Sequence, residues 1–553
     1  MSGIELEFGQ PGNARLRIAA ERPKITLMPG ECPEAVDCAE QLLVANAERL
    51  AIYQRAGEMV RIVTLDAERD GAGLRRAAGT VQLLPVSQVA LMEDLDRLAT
   101  WTRVREGKKG PGTYRVDCPR RIAAAYLARV GAWRLPVLAG VIAAPVMRQD
   151  GTILSAPGYD AATGLYLTGD DWPDVPAAPT REDARAALAA LAAPFAEFPF
   201  VGPEDRAVML AAILTGLQRR LLPAAPLFGF TAPSMRTGKS LLSEAVGVIA
   251  TGRPAPAMAV SGDREEIRKA VAAALREGHC IVNLDNIDHP LGSPDLARAV
   301  TQPEYADRLL GETRILRLPT NLTWLATGNN LAFRGDLAVR ALLCRLDAQV
   351  ERPEERAFAI ADLKAHLAHH RPALVAAALT VLRAYRAAGL PAQGLPPWGG
   401  FAAWSDLIRS ALVWLGEADP CATRTHVIED DPDRERTGAM LANWHRIFAD
   451  RAVPVADVVA RTASDHELLD AVVAVASSKA DPKTAGQLPP GGLVPPRTTQ
   501  DRGWAGYHQG CRRQPRWGMA GGTAGGARDF CDICKFFRPG KMERRADGSR
   551  SRS

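Results

Sequence analysis

The sequence predicts an α/β protein with a parallel sheet flanked by helices at its centre. Three apolar runs predict the strands of this sheet, because strands buried on both faces read as continuous hydrophobic segments. The runs end at Ala232, Asp285 and Asn329. Helical patterns separate them, and parallel strands need such crossovers. An N-terminal α+β region, a C-terminal helical region and a disordered basic tail complete the predicted architecture.

The first run leads into a short loop and then into a helical pattern that begins near Leu241. Strand, loop and helix in this order are the context that a phosphate-binding loop needs. Backbone N–H groups of the loop and of the first helical turn point at an anion, and the helix dipole adds to their field. The residues expected to bind the phosphates of ATP are Pro233, Ser234, Met235, Arg236, Thr237, Gly238, Lys239, Ser240 and Leu241.

The loop also carries side-chain chemistry. Lys239 would reach the β- and γ-phosphates, and the hydroxyl of Ser240 would ligate Mg²⁺. The usual motif is G-x-x-x-x-G-K-[ST], and Pro233 stands where its first glycine belongs. The loop is therefore either distorted or of a variant kind.

The second run ends in an acid, at the point where a parallel strand would exit toward a nucleotide. Asp285 occupies this Walker B position, and its carboxylate would hold Mg²⁺ through water. Many ATPases place a glutamate next in the chain to polarise the attacking water. This chain has Asn286 there and a second acid at Asp288, so the identity of the catalytic base stays open.

Two further residues complete the predicted catalytic set. In ring-forming ATPases the next strand carries a polar residue that orients the lytic water, and Asn329 is the candidate here. Arg340 is placed to act as an arginine finger in a neighbouring subunit, where it would stabilise charge on the transferred phosphoryl group.

Residues 305–319 predict a hairpin that precedes the third run. Its arginines are Arg308, Arg314 and Arg317. Such a hairpin would face a central pore and touch DNA phosphates, or it would form a solvated basic edge. Both interpretations stay open.

Length and composition limit the number of domains and the cellular compartment that can be expected. The chain has 553 residues, of which 47% are hydrophobic, and this length corresponds to two to four domains. No apolar stretch reaches the roughly 18 residues of a transmembrane helix, and the first residues lack the basic start and apolar run of a signal peptide. Nine scattered cysteines fit a reducing compartment. We expect a cytoplasmic protein that contacts no membrane.

The net charge of +5 comes from the tail. Residues 481–553 hold 14 Lys+Arg and 6 Asp+Glu, which leaves 54 against 57 for the rest of the chain. The part expected to fold is therefore close to neutral, so its overall charge gives no argument for nucleic-acid binding.

The order of elements predicts five segments. They are an α+β region (1–117), a turn-rich α+β module with a linker helix (118–195), an ATPase core (200–350), a helical lid (351–480) and the tail (481–553). Alternating runs predict early strands at 4–8, 15–18, 59–65 and 80–84, a helix at 34–50 and a loop at 107–112.

Turn and cap signals place the later elements. Asp150-Gly151 and the stretch 157–166 predict hairpins, and Thr180 begins a capping box. The sequence of the lid segment predicts helices over 352–389, 401–416, 431–449 and 465–476. Arg409, on the second of these, is a candidate to reach the nucleotide.

The tail breaks the pattern of the folded segments. It is rich in Gly, Pro and Arg and lacks periodicity, so it cannot bury a core and we expect disorder. His508-x-x-Cys511 and Cys531-x-x-Cys534 approach the spacing of a zinc ribbon. A change of reading frame near Lys483, which would make the tail non-native, is the competing hypothesis.

From about Leu135 to Ala480 the chain resembles the helicase-like ATPases of prophages and plasmids, which relate to AAA+ and superfamily-three helicases. The residues that carry the resemblance are Arg148–Gly151, Pro157–Asp160, Ala232-Pro233, Gly238–Ser240, Leu284–Asn286, Thr327–Asn330, Asp336–Arg340 and Trp414–Pro420. The resemblance implies a homo-oligomeric ring, ATP with Mg²⁺, and DNA, chiefly single-stranded, as the track.

The function expected from the motifs and the resemblance is an ATP-dependent, helicase-like DNA motor in the replication of a mobile element. Pro233 and Asn286 leave a second hypothesis open, a DNA-binding switch that binds nucleotide without hydrolysing it. A third is an AAA+ remodeller of a protein partner, whose turnover would ignore DNA.

Overall fold

A computed structural model describes residues 5–7, 15–17 and 22–479. Within the last range there are gaps at 66–67, 71–72, 77–79, 108–109, 170–171, 261, 309–314, 351, 353–355 and 357. The predicted fold class is confirmed: small N-terminal sheets come first, then a parallel five-stranded sheet flanked by helices, then C-terminal helices. The tail that was expected to be disordered lies outside the described residues.

The N-terminal region consists of small sheets and short helices. Its strands are β1 (Glu5–Glu7), β2 (Arg15–Arg17), β3 (Lys24–Leu27), β4 (Ile52–Arg55), β5 (Glu58–Leu65), β6 (Glu68–Asp70), β7 (Gly73–Arg76), β8 (Thr80–Pro85), β9 (Thr100–Gly107) and β10 (Gly110–Val116). Its helices are α1 (Cys32–Ala45), α2 (Ala47–Leu50), α3 (Gln88–Leu98) and α4 (Arg120–Leu127). Trp101 of β9 and Tyr126 of α4 lie in one core with Leu43 of α1.

Two predictions in this region were wrong in detail. The helix expected over 34–50 is broken at Asn46, whose amide group donates to the Leu42 carbonyl at 2.8 Å and ends α1. The loop expected over 107–112 is mostly strand, because β9 and β10 pair as far as Gly107 and Gly110.

The turn-rich module contains the predicted hairpins. Its elements are β11 (Gly140–Ile142), β12 (Val146–Met147), β13 (Ile153–Leu154), β14 (Gly158–Asp160), β15 (Leu165–Leu167) and α5 (Arg181–Ala192). β12 pairs with β13 and β14 pairs with β15, both antiparallel. Arg148 donates to Asp160 at 2.9 Å, which ties the two hairpins together. The capping box of Thr180 and Asp183 begins α5 as predicted.

The central sheet holds the predicted strands. The elements of this region are α6 (Pro203–Gln218), β16 (Leu227–Ala232), α7 (Lys239–Thr251), β17 (Ala257–Ala259), α8 (Arg264–Glu277), β18 (Ile281–Ile287), α9 (Pro294–Thr301), β19 (Glu304–Arg308), β20 (Ile315–Pro319), β21 (Thr323–Asn329) and β22 (Ala341–Arg345). The spatial order is β17-β18-β21-β16-β22, and every neighbouring pair is parallel. All six residues of β16 are buried, which explains its continuous apolar sequence.

Helices follow the sheet. They are α10 (Leu363–Ala387), α11 (Ala402–Trp404), a π-helical turn (Ser405–Arg409), α12 (Ser410–Leu415), α13 (Arg424–Glu429), α14 (Pro432–Phe448), α15 (Val455–Thr462) and α16 (His466–Lys479). The chain divides into two units, of which the first ends at Pro432 and the second begins at Asp433. The core of the second unit contains Phe448, Val458 and Leu468. The five segment boundaries predicted above stay predictions.

Two expectations for this part of the chain were wrong. The helix predicted from 352 begins at Leu363, because the Asp362 side chain accepts a hydrogen bond from the Ala365 N–H at 3.0 Å and caps it there. Arg409 does not face a nucleotide: it is 2% exposed, and both ends of its guanidinium bind the Asp419 carboxylate, at 2.8 and 2.6 Å. Among the described helices, none is long and apolar enough to cross a membrane.

Candidate functional site

The loop between β16 and α7 is compact. It occupies residues 233–238, and α7 begins directly at Lys239. Gly238 has a φ of 104°, and a Cβ atom there would lie 2.9 Å from the ring of Phe198. Left-handed backbone and close approach both favour glycine, so a residue with a side chain would be strained at this position. No side chain caps the start of α7, so the first N–H groups of the helix are left for a ligand.

Side chains inside the loop bind its own backbone. Lys239 is 9% exposed, and its amine donates to the Ser234 carbonyl at 2.8 Å. The Thr237 hydroxyl donates to the same carbonyl at 2.9 Å. Burial lowers the pKa of Lys239 from its ordinary value, since water no longer solvates the ammonium. A ligand with negative charge would therefore find a cation that lacks a charged partner among the described residues.

The outer residues of the loop lie in solvent. Pro233, Met235, Arg236 and Ser240 are exposed, and Met235 has 73% of its surface free. Arg236 adopts a φ of 59°, a strained conformation for a residue with a side chain. The variant first position, Pro233, thus sits at the outer edge of a tight loop.

Asp285 lies at an irregularity in the sheet. The register between β18 and β21 runs from Leu284 opposite Ala326 to Ile287 opposite Gly328, so β18 carries one extra residue there. Asn286 takes up this bulge with a φ of 54°. Bulges re-aim side chains and are common beside functional sites.

Thr327 holds the bulge together and was missed in the sequence. It is 1% exposed; its hydroxyl donates to Asp285 Oδ1 at 2.5 Å and accepts from the Asn286 N–H at 3.3 Å. Asn283 donates to the same Asp285 oxygen at 3.2 Å. The other Asp285 oxygen makes no hydrogen bond to any described residue and is left for a cation or water.

The sequence contained one signal for this arrangement. Gly328 lies within a predicted strand, and an isolated glycine in a strand often marks a bulge. A Cβ atom at Gly328 would lie 2.4 Å from the Ile287 carbonyl oxygen. The glycine therefore permits the close strand approach on which the Thr327 contacts depend.

Asn329 lies beside the start of the loop. It is opposite Ala232 in the register of β21 and β16, and the next N–H, of Asn330, donates to the Ala232 carbonyl at 3.1 Å. Because β21 stands between β16 and β18, the carboxyl edge of the sheet brings together the loop, Asn329 and Asp285. In open α/β sheets ligands bind at this edge.

Arg340 lies at the opposite edge of the sheet. β22 begins at the next residue, Ala341, which is opposite Leu227 at the start of β16. The loop follows the other end of β16, about 16 Å away along the strand. The Arg340 side chain pairs with Asp336 in its own 3₁₀ turn and donates to the Asp336 carbonyl at 2.8 Å. It cannot reach the loop of the same chain.

The predicted hairpin is β19 paired antiparallel with β20. Arg317 is 71% exposed and lies 3.7 Å from Glu304 on the facing strand, so part of its charge is balanced. Arg268 of α8 pairs with Asp307 of β19, which holds the hairpin against α8. The side chain of Arg308 and all of Arg314 lie outside the described residues.

Asp288 and Asn286 are polar residues that follow Asp285 in the chain. Asp288 is 90% exposed and lies 2.9 Å from His289 Nδ1. That contact lowers the pKa of the Asp288 carboxyl. Asp288 is therefore a solvated carboxylate near the bulge, whereas Asn286 carries no titratable group.

Comparisons with known proteins give distant likenesses. No protein-family model and no curated protein matches the chain. A solved structure of JCV helicase aligns at 13% identity with a TM-score of 0.22, over 47% of this chain and 64% of that one. A second, described as "SCCmec type IV Cch - active helicase", aligns at 12% identity with a TM-score of 0.31, over 71% and 82%.

These values indicate distant structural similarity to helicases and no more. This chain spans less than two thirds of the JCV helicase chain. The parallel five-stranded sheet with a loop after its second-to-last strand in spatial order, β16, is consistent with a P-loop NTPase.

Proposed function

We propose that the chain is an ATP-binding hydrolase of the P-loop type. The observation that carries the proposal is the meeting of the Gly238–Ser240 loop, Asn329 and Asp285 at one edge of the sheet. Four unsatisfied N–H groups at a helix start, with a cation beside them, form a ready site for an anion.

Each part of the site has its own role in the proposed reaction. Residues 233–241 bind the phosphates, and the Lys239 amine exchanges the Ser234 carbonyl for a phosphate oxygen. Asn329 orients the attacking water. Asp285 and Ser240 would hold Mg²⁺, which uses one or two protein oxygens with phosphates and water, and the free Asp285 oxygen and the exposed Ser240 hydroxyl fit that need. The ion would neutralise charge on the phosphates.

The proposal extends to a homo-oligomer. Arg340 lies too far from its own loop to act there, and the amino-terminal edge of the sheet presents it to another molecule instead. We propose that it stabilises the transferred phosphoryl group in a neighbouring subunit, which a closed ring would allow for every copy.

The track we propose is DNA, preferably single-stranded, during replication of a prophage or plasmid. Support comes from the basic hairpin, on which Arg317 is mostly exposed, and from the motif resemblance given above. The hairpin would contact phosphates in the centre of the ring.

The decisive experiment measures ATP hydrolysis by the full-length protein with and without single-stranded DNA. We expect DNA to raise turnover and Lys239→Ala to abolish it. Lys269→Ala is the matched control, because Lys269 lies on the surface of α8 in a pair with Glu266; it should leave turnover unchanged. Turnover indifferent to DNA would favour a remodeller of protein partners.

One observation favours a second candidate function. Asn286, which follows Asp285, has no carboxylate, and its N–H is bound to Thr327. A chain without a general base would bind ATP and release it unhydrolysed, as a nucleotide-dependent DNA-binding switch. ATP binding that is lost in Lys239→Ala, with no turnover in the unchanged protein, would establish this alternative.

A further inference from the structure

The β9–β10 hairpin of the N-terminal region extends beyond the sheet that supports it. β3 pairs with β9 only from Thr100 to Arg103. Beyond Arg103, β9 pairs with β10 alone, up to Gly107 and Gly110. Within the described chain, the outer half of the hairpin is thus a two-stranded ribbon. Isolated two-stranded ribbons are marginally stable in water, so this one is suited to a partner.

One face of the ribbon carries cationic and aromatic side chains. Tyr114 is directly opposite Arg103, and Gly112 is opposite Arg105, so these side chains share a face because strand side chains alternate. All three large side chains are exposed, and Tyr114 keeps 44% of its surface free. Closer to the core the same face is covered, since Trp101 is 1% exposed.

The charge of the ribbon is not balanced. Residues 100–116 contain five Lys and Arg and one acid, Glu106. Arg103 and Arg105 form no ion pair with any residue in the described part of the chain. By contrast, several arginines elsewhere in this region are paired, for example Arg97 with Glu93, Arg129 with Asp37 and Arg61 with Asp94. An unpaired cationic ribbon fits a polyanion.

We propose that the β9–β10 ribbon binds duplex DNA along the major groove, with Arg103 and Arg105 on the phosphates. The B-form major groove, about 12 Å wide, admits a two-stranded ribbon, whereas the major groove of A-form RNA is too narrow. Single strands are usually held by several stacked aromatics, and the described ribbon exposes one, Tyr114. The inference rests on the proposed function for the choice of DNA as partner.

The test measures binding of the full-length protein, without nucleotide, to a fluorescent 20-base-pair duplex at several salt concentrations. Loss of two phosphate contacts should weaken binding by about tenfold or more and reduce the salt slope by about two. The test variant is Arg103→Gln/Arg105→Gln. The matched control is Arg49→Gln/Arg97→Gln, which removes the same charge from exposed helix positions of the same region; its affinity should stay within about twofold of the unchanged protein.

Three results would overturn the inference. They are an unchanged duplex affinity in the ribbon variant, an equal loss in the control, and a loss on single strands as large as that on the duplex. Basal ATP hydrolysis, measured on the same samples, separates this inference from the proposed function. If duplex affinity depends on the ribbon in a protein that never hydrolyses ATP, the result would support DNA binding by the ribbon and refute the proposed ATP hydrolysis.

Discussion

At the scale of single residues, Gly238 controls the shape of the loop between β16 and α7, the proposed phosphate site. Alanine there would meet two obstacles: a φ of 104° and the ring of Phe198 at 2.9 Å. That ring is fixed between Phe195 and Phe200, each with its centroid 6.1 Å away. We expect Gly238→Ala to lower the free energy of unfolding by about 1–2 kcal/mol and to weaken ATP binding at least about tenfold.

Gly389 provides the control for this prediction. It has a φ of 83°, but a Cβ atom added there would have no other atom within 4 Å, so Gly389→Ala carries the backbone cost without the clash. Calorimetric unfolding should show a loss in both variants, the larger one in Gly238→Ala because the clash with Phe198 adds to the backbone cost. Titration with ATP should show a defect in Gly238→Ala alone. Equal ATP binding by both would mean that the loop tolerates displacement by Phe198.

Local spacing was sufficient to identify some residues of the candidate site and insufficient for others. Gly238, Lys239 and Ser240 form a motif that is contiguous in the chain, and the acid and amide that follow mark strand ends. Phe198 and Thr327 act through contacts with residues about 40 positions away, which depend on strand register and packing. No local pattern contains that information.

At the scale of elements, the bulge in β18 sets the direction of Asp285. Thr327→Val keeps the side-chain volume but removes the hydroxyl that serves both Asp285 and the Asn286 N–H. Losing these two partly buried hydrogen bonds, one of them to a carboxylate, should cost about 1–3 kcal/mol of unfolding free energy. We also expect the Mg²⁺ concentration needed for half-maximal ATP hydrolysis to rise, because Asp285 loses its orientation.

Thr327→Ser is the matched variant, because it retains the hydroxyl and loses one methyl group. Its Mg²⁺ dependence should follow that of the unchanged protein, although the small cavity will lower stability slightly. If valine and serine shift the Mg²⁺ dependence equally, the hydroxyl is not what orients Asp285.

Element types were easier to predict than element ends. The alternation of apolar strands and helices identified β16, β18 and β21, because burial on both faces leaves an unmistakable composition. The ends of α1 and α10 were missed, since each is decided by a single polar side chain: the amide of Asn46 and the carboxylate of Asp362. The bulge was missed because it is a relation between two strands, although Gly328 pointed to it.

At the scale of the whole molecule, Arg340 makes the proposed site a shared one. Lys239→Ala and Arg340→Ala should each be inactive alone, since every interface then lacks one group. In an equal mixture that exchanges subunits at random, about a quarter of interfaces combine an intact loop with an intact Arg340. ATP hydrolysis should therefore recover to roughly that fraction of the unmutated rate.

Mixing Lys239→Ala with Lys239→Met is the control, because no interface in that mixture has an intact loop. It should show no recovery. Full activity of Arg340→Ala by itself would remove the role of this arginine across the interface, while leaving the nucleotide site of each chain as proposed.

The order of strands also has a consequence for the newly made chain. β16 lies between β21 and β22, and both of these are synthesised after it. At about 5–20 residues per second, a ribosome needs roughly 6–23 s to proceed from Ala232 to Arg345. For that time the six residues of β16 have left the exit tunnel, or are leaving it, without the neighbours that will cover them. The strand that leads into the loop before α7 is thus made first and enclosed last, so its apolar side chains are open to aggregation in the nascent chain for those seconds.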